Sequence, residues 1–76
     1  MISARLKSTI LGELDLDDFD LTMTTTADRV PGWDSLSHLR IIVAIEKEFA
    51  IRFTTLEVMR MRRVGDLQEL VDQKTR

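Results

Sequence analysis

The sequence predicts an all-α fold: a small four-helix bundle with three longer helices, a short third helix, and a long loop between the first and second helices. Apolar residues recur at helical spacing in several stretches, and no stretch alternates for long enough to make a strand with a partner strand. The chain has 76 residues, the length of one small domain, so we expect residues 1–76 to enclose a single apolar core.

The first helix is marked by apolar residues that repeat every four positions: Ile2, Leu6, Ile10 and Leu14. This spacing places them on one helical face and predicts a helix from about Ser3 to Glu13. Ser3 is a candidate N-cap, because its hydroxyl can accept a hydrogen bond from a first-turn amide. Gly12 weakens the helix near its end.

The stretch from Asp15 to Trp33 has no sustained period and contains four closely spaced threonines, which are poor helix formers. It is predicted to be a long loop, pinned across the bundle by its apolar side chains. Its aspartates do not fit a calcium loop, because counting from Asp15 places Asp20 at the glycine position and Thr26 at the closing glutamate position. We interpret them as a solvated acidic turn and predict no metal site.

A proline and a glycine, Pro31 and Gly32, end this loop. Asp34 stands just before a long apolar-periodic run, where an N-cap belongs, so Ser35 falls in the first turn of the second helix with its hydroxyl exposed. A phosphate attached there would be favoured by the helix dipole and by the unpaired first-turn amides.

The second helix carries two apolar stripes. The stripe that is predicted to face the core includes a histidine: His38, Ile42, Ile45 and Phe49, with Ile41 at its edge. The histidine is therefore interpreted as a core residue. The other stripe lies a third of a turn or more away and consists of Leu36, Leu39 and Val43. Either the long loop or a partner protein is expected to cover it.

Two shorter segments complete the predicted bundle. A linker over residues 50–53 turns Ile51 and Phe53 inward, and a third helix follows from Leu56 to about Met61, capped by Thr54 or Thr55. The fourth helix is spaced by another apolar series: Val64, Leu67, Leu70 and Val71.

Composition excludes several classes of function. The chain has no cysteine and one histidine, so disulfides, cysteine nucleophiles and multi-histidine metal sites are ruled out. Acidic and basic residues nearly balance, 13 against 11, which argues against a nucleic-acid partner. No apolar run approaches the ~20 residues of a membrane span, and the N-terminus lacks the apolar core of a signal peptide. We expect no membrane partner and a cytoplasmic location.

The chain resembles acyl carrier proteins over nearly its whole length. Three motifs carry the resemblance along the chain: Asp34-Ser35-Leu36, Ile51-Arg52-Phe53 and Val64-Gly65-Asp66-Leu67. It implies that Ser35 receives a phosphopantetheine arm, donated from coenzyme A by a phosphopantetheinyl transferase, with Asp34 and Leu36 completing the attachment motif. It also implies that the protein does no catalysis. Acyl groups would ride as thioesters on the arm to acyl-loading and acyl-transferring enzymes, and we expect the carrier to act as a monomer.

The sequence also departs from the family's pattern. Ser37 and Arg40 stand where carriers of fatty-acid synthesis often have carboxylates, and Lys47 lies between Glu46 and Glu48. This favours a specialised acyl pathway, such as polyketide synthesis, over housekeeping fatty-acid synthesis. The predicted docking residues are Leu36, Leu39, Arg40 and Val43. Arg63 stands where the family usually caps its last helix with Ser or Thr, which predicts a weaker start for that helix.

Three other functions are compatible with parts of the sequence. A peptidyl or aminoacyl carrier more often has histidine where Asp34 stands, so acyl cargo is favoured. A serine hydrolase could pair Ser35 with His38, but the Gly-x-Ser-x-Gly elbow is missing and 76 residues give no scaffold for a substrate pocket. A plain helical interaction module could use the second apolar stripe as a ridge that fits a groove.

Overall fold

The computed structural model describes residues 1–76 and contains four α-helices: α1 (Ala4–Leu14), α2 (Ser35–Phe49), α3 (Thr55–Arg60) and α4 (Val64–Lys74). The predicted all-α class, with three longer helices and a short third one, is confirmed. The only β-type pairing is an isolated antiparallel bridge between Thr26 and Arg63. None of the helices has the length and apolar character needed to cross a membrane.

The core is centred on the contact between α1 and α2. Leu6 and Ile10 of α1, together with Ile41 and Ile45 of α2, are completely buried. Burying each of these side chains contributes roughly 1.5–3 kcal/mol. Residues from the long loop, the linker and α4 close the core: Leu21, Val30, Ile51, Val64, Leu67 and Val71. The four-residue apolar repeat of α1 therefore marks its buried face, as predicted.

Side-chain caps set the helix starts close to where the sequence placed them. The Ser3 hydroxyl accepts a hydrogen bond from the Leu6 amide at 3.2 Å, so α1 begins immediately after its predicted cap. For α3 the cap is Thr54, whose hydroxyl accepts from the Glu57 amide at 3.1 Å. The Glu57 carboxylate accepts in return from the Thr54 amide at 2.8 Å, which completes a reciprocal capping box.

The loop between α1 and α2 is more ordered than the sequence predicted. It contains a short 3-10 helix, Ala27–Arg29, which the lack of an apolar period did not reveal. Leu21 and Val30 are buried, so apolar side chains do pin this loop to the core. At its acidic end Asp18 pairs with Lys7 of α1 at 3.0 Å. The hydrogen bond from Lys7 is the largest cause of the lowered pKa of Asp18.

The same loop is clamped against the start of α4. The Val64 amide donates to the Thr25 carbonyl at 2.8 Å, and the Gly65 amide donates to the Met23 carbonyl at 3.1 Å. Gly65 is buried at this contact, and a Cβ atom there would collide with the Met23 carbonyl oxygen. Because glycine has no Cβ, the backbone of the loop and the backbone of α4 can come into direct contact here.

The start of α4 is capped from within the helix. Arg63 is the N-cap residue, and its guanidinium cannot accept a hydrogen bond. The Asp66 carboxylate instead accepts from the amides of Arg62 and Arg63, both at 3.0 Å, and from the Arg63 guanidinium at 3.1 Å. The Arg62 amide is the largest cause of the lowered pKa of Asp66. A first-turn carboxylate thus caps α4 by accepting from the amides of the N-cap residue and of the residue before it, while the Val64 and Gly65 amides donate to carbonyls of the long loop.

Candidate functional site

A tight turn delivers the chain to the start of α2. Gly32 has a φ of 81°, in the left-handed region that glycine enters without strain. The Trp33 amide donates to the Val30 carbonyl at 3.2 Å, and the Asp34 amide donates to the Gly32 carbonyl at 3.1 Å. The loop therefore ends at Trp33, as the sequence predicted. Asp34 is the N-cap, and Ser35 is the first residue of α2.

Asp34 is the N-cap of α2 through two separate contacts. Its carboxylate accepts from the Ser37 amide at 2.8 Å, and its carbonyl accepts from the His38 amide at 2.8 Å. The Ser37 amide is the largest cause of the lowered pKa of Asp34. The carboxylate is therefore ionised at neutral pH, and a negative charge stands directly beside Ser35.

Ser35 is the first residue of α2, and it is exposed. A groove opens beside it between α2 and α3, and apolar side chains dominate its lining: Trp33, Leu39, Val58, Met59 and Met61. The hydroxyl thus stands at a helix N-terminus, within reach of another protein, with an apolar surface next to it. An exposed hydroxyl in the positive field of a helix end suits the attachment of a phosphodiester.

The prediction that His38 belongs to the core is wrong. The side chain is only half-buried, and it faces Trp33 rather than α1. The Trp33 indole Nε1–H donates to His38 Nδ1 at 3.1 Å, and the two rings stack with centroids 6.1 Å apart. Ile41, assigned to the edge of the stripe, is fully buried instead. The helix is rotated so that aliphatic side chains meet α1, while the polar ring keeps a hydrogen-bond partner.

The second apolar stripe of α2 remains exposed. Leu36, Leu39 and Val43 have 65%, 57% and 48% of their surfaces open to solvent, so the long loop does not cover them. On α3, Leu56 and Met59 are exposed to a similar degree, at 55% and 74%. The exposure of these two was not predicted, although their spacing of three residues places them on one face of this six-residue helix. Exposed apolar groups gathered on neighbouring helices are typical of a protein-binding surface.

Positive charge borders this apolar surface. Arg40 approaches Glu13 of α1 only at 3.9 Å, and 61% of its side chain is exposed, so the pair holds it weakly. Lys47 forms no ion pair, and neither do Arg60 and Arg62 at the end of α3. These cations are therefore free to contact a partner. The approach of Glu13 to Arg40 could not be read from the sequence.

A four-helix bundle that presents a serine on the first turn of its second helix, beside an exposed apolar face, has the architecture of a carrier protein. No family model matches the chain. It is 27% identical over 75 residues to the acyl carrier protein of Onion yellows phytoplasma, a match that covers 99% of each chain.

Among solved structures, it is similar to the solution structure of holo acyl carrier protein from Geobacter metallireducens. The TM-score is 0.85 and the identity 39%, with 91% of this chain and 79% of that chain covered. The chain belongs to the acyl carrier protein family.

Proposed function

We propose that this carrier holds acyl intermediates as thioesters on a phosphopantetheine arm attached to Ser35, and presents them to partner enzymes. The observation that supports this most directly is the exposed hydroxyl of Ser35 on the first turn of α2, within the Asp34-Ser35-Leu36 motif. The similar Geobacter protein was solved as a holo acyl carrier protein. The arm itself supplies the terminal thiol that this cysteine-free chain lacks.

Attachment would be a phosphoryl transfer catalysed by a partner transferase. Ser35 Oγ forms a bond to the phosphorus that carries the pantetheine. The bond from that phosphorus to the rest of coenzyme A breaks, and adenosine 3′,5′-bisphosphate leaves. The hydroxyl proton passes to a base on the transferase. A magnesium ion supplied with the transferase would offset the negative charge of the phosphates and of the Asp34 carboxylate beside Ser35.

The attachment site is tested by intact mass after incubation with coenzyme A and a broad-specificity phosphopantetheinyl transferase. Wild-type protein should gain the mass of one phosphopantetheine, and Ser35→Ala should gain none. Ser37→Ala is the matched control, because it removes a hydroxyl two residues away but leaves the Ser37 amide on the Asp34 cap. Modification of Ser35→Ala would refute the assignment of this serine.

We further propose that the carrier serves a specialised acyl pathway with dedicated enzymes. Its docking surface would consist of Leu36, Leu39, Arg40 and Val43. Carriers of fatty-acid synthesis resemble this chain but tend to have carboxylates on α2, whereas here Arg40 and Lys47 border the apolar residues. Like charges that meet at an interface repel each other, so an enzyme patch built for an acidic carrier would be disfavoured. Partners with acidic groups around an apolar centre would be favoured.

A further inference from the structure

The side chains of Trp33 and His38 bracket Ser35 from both directions along the chain. Trp33 lies in the loop two residues before the serine, and His38 lies one helical turn after it. Their side chains are joined by the 3.1 Å hydrogen bond from indole Nε1–H to imidazole Nδ1 and by ring stacking at an interplanar angle of 28°. Asp34 also ties the end of the loop to the first turn of α2, through its carboxylate to the Ser37 amide and through its carbonyl to the His38 amide.

We propose that Trp33 and His38 form a positioning pair for Ser35, which sets the orientation of its hydroxyl for transfer of the arm. The inference rests on the proposed attachment at Ser35. Without the side-chain contact, the loop end could pivot about Gly32, whose backbone is the least restricted of the turn. A reacting hydroxyl that samples several orientations attacks more slowly than one held in place.

Two substitutions of His38 separate the effect of its hydrogen bond from the effect of its ring. His38→Asn keeps an acceptor, since Asn Oδ1 stands where Nδ1 does, but it removes the ring. His38→Phe keeps a ring but has no acceptor. Both residues have helix propensities close to that of histidine, so α2 itself is little affected. Trp33→Phe removes the donor, and the double variant with His38→Phe tests whether the two side chains act as one unit.

The rate of arm attachment is measured for each variant with saturating coenzyme A and a broad-specificity transferase. We expect His38→Phe and Trp33→Phe each to slow attachment by roughly two- to tenfold, with no further loss in the double variant. His38→Asn should restore most of the rate.

Equal rates for His38→Phe and wild type would overturn the positioning role. The two proposals fail separately. If His38→Phe and wild type reacted at equal rates while Ser35→Ala gained no mass, the positioning role would be refuted and attachment at Ser35 would stand. The indole N–H signal of the single tryptophan gives an independent readout by NMR. It should be protected from solvent exchange in wild type and His38→Asn and unprotected in His38→Phe. Equal exchange in all three would show that the hydrogen bond is absent and would also overturn the inference.

Discussion

Replacing Gly65 by alanine should destabilise the bundle, although alanine is the better helix former. Gly65 lies in the first turn of α4, where its amide donates to the Met23 carbonyl at 3.1 Å. An added Cβ would collide with that carbonyl oxygen and would lie 3.1 Å from both the carbonyl carbon and the Cα of Met23. All three are backbone atoms, so no flexible side chain can move aside. The loop must shift, which strains or breaks the adjacent hydrogen bond from Val64 to Thr25.

The magnitude follows from three contributions. Overpacking of a close contact costs roughly 1–3 kcal/mol, and a lost backbone hydrogen bond costs about 1 kcal/mol. The higher helix propensity of alanine returns up to about 1 kcal/mol. The net loss in the free energy of unfolding is then about 2 kcal/mol. For a domain of this size, that corresponds to a decrease in Tm of roughly 8–16 °C.

Thermal and urea unfolding followed by helical circular dichroism would measure this loss. Gly12→Ala is the matched control: Gly12 is in α1, and a Cβ there would meet nothing within 4 Å. The same substitution should therefore stabilise the protein, by up to about 1 kcal/mol. A Gly65→Ala protein at least as stable as Gly12→Ala would refute the close approach of the loop to α4.

Three further changes have expected outcomes. Ala50→Gly should stabilise the protein by about 1 kcal/mol in urea unfolding, because Ala50 ends α2 in the left-handed region with a φ of 55°. Asp66→Asn should flatten the loss of stability in acid, measured by urea unfolding across pH. The hydrogen bond from the Arg62 amide holds the pKa of Asp66 below its usual range, so the stability that this carboxylate contributes is complete above the pKa of the unfolded chain and is lost as pH falls through the lower, folded pKa. Arg40→Glu should speed loading by a fatty-acid malonyl transferase, and the gain should shrink as salt is added; an unchanged rate would argue against charge selection.

The helices were predictable because their determinants are local. The apolar repeat of α1, the Ser3 cap and the Asp34 cap each involve residues within a few positions of one another. The choice between Thr54 and Thr55 as the cap of α3 was less certain from sequence. The reciprocal bonds of Thr54 and Glu57 decided it, and these are also local, with the spacing of a capping box.

What the sequence did not reveal depends on contacts between distant parts of the chain. The long loop is shaped by its backbone bonds to α4, from Val64 to Thr25 and from Gly65 to Met23. These pair segments about 40 residues apart, and no local pattern encodes them. No neighbouring residue marks Gly65 as necessary, yet the structure requires a glycine there, because the backbones of the loop and of α4 meet at this residue.

The error at His38 has the same origin and bears on function. Periodicity places a residue at an angle around a helix, but it does not say which neighbour occupies that direction. His38 lies at the boundary between the face that meets α1 and the face that meets the loop, and Trp33 supplies the partner there. An aliphatic residue at this angle would gain only burial. A histidine gains a hydrogen bond that ties the loop to the first turn of α2, and Ser35 lies between the two tied residues.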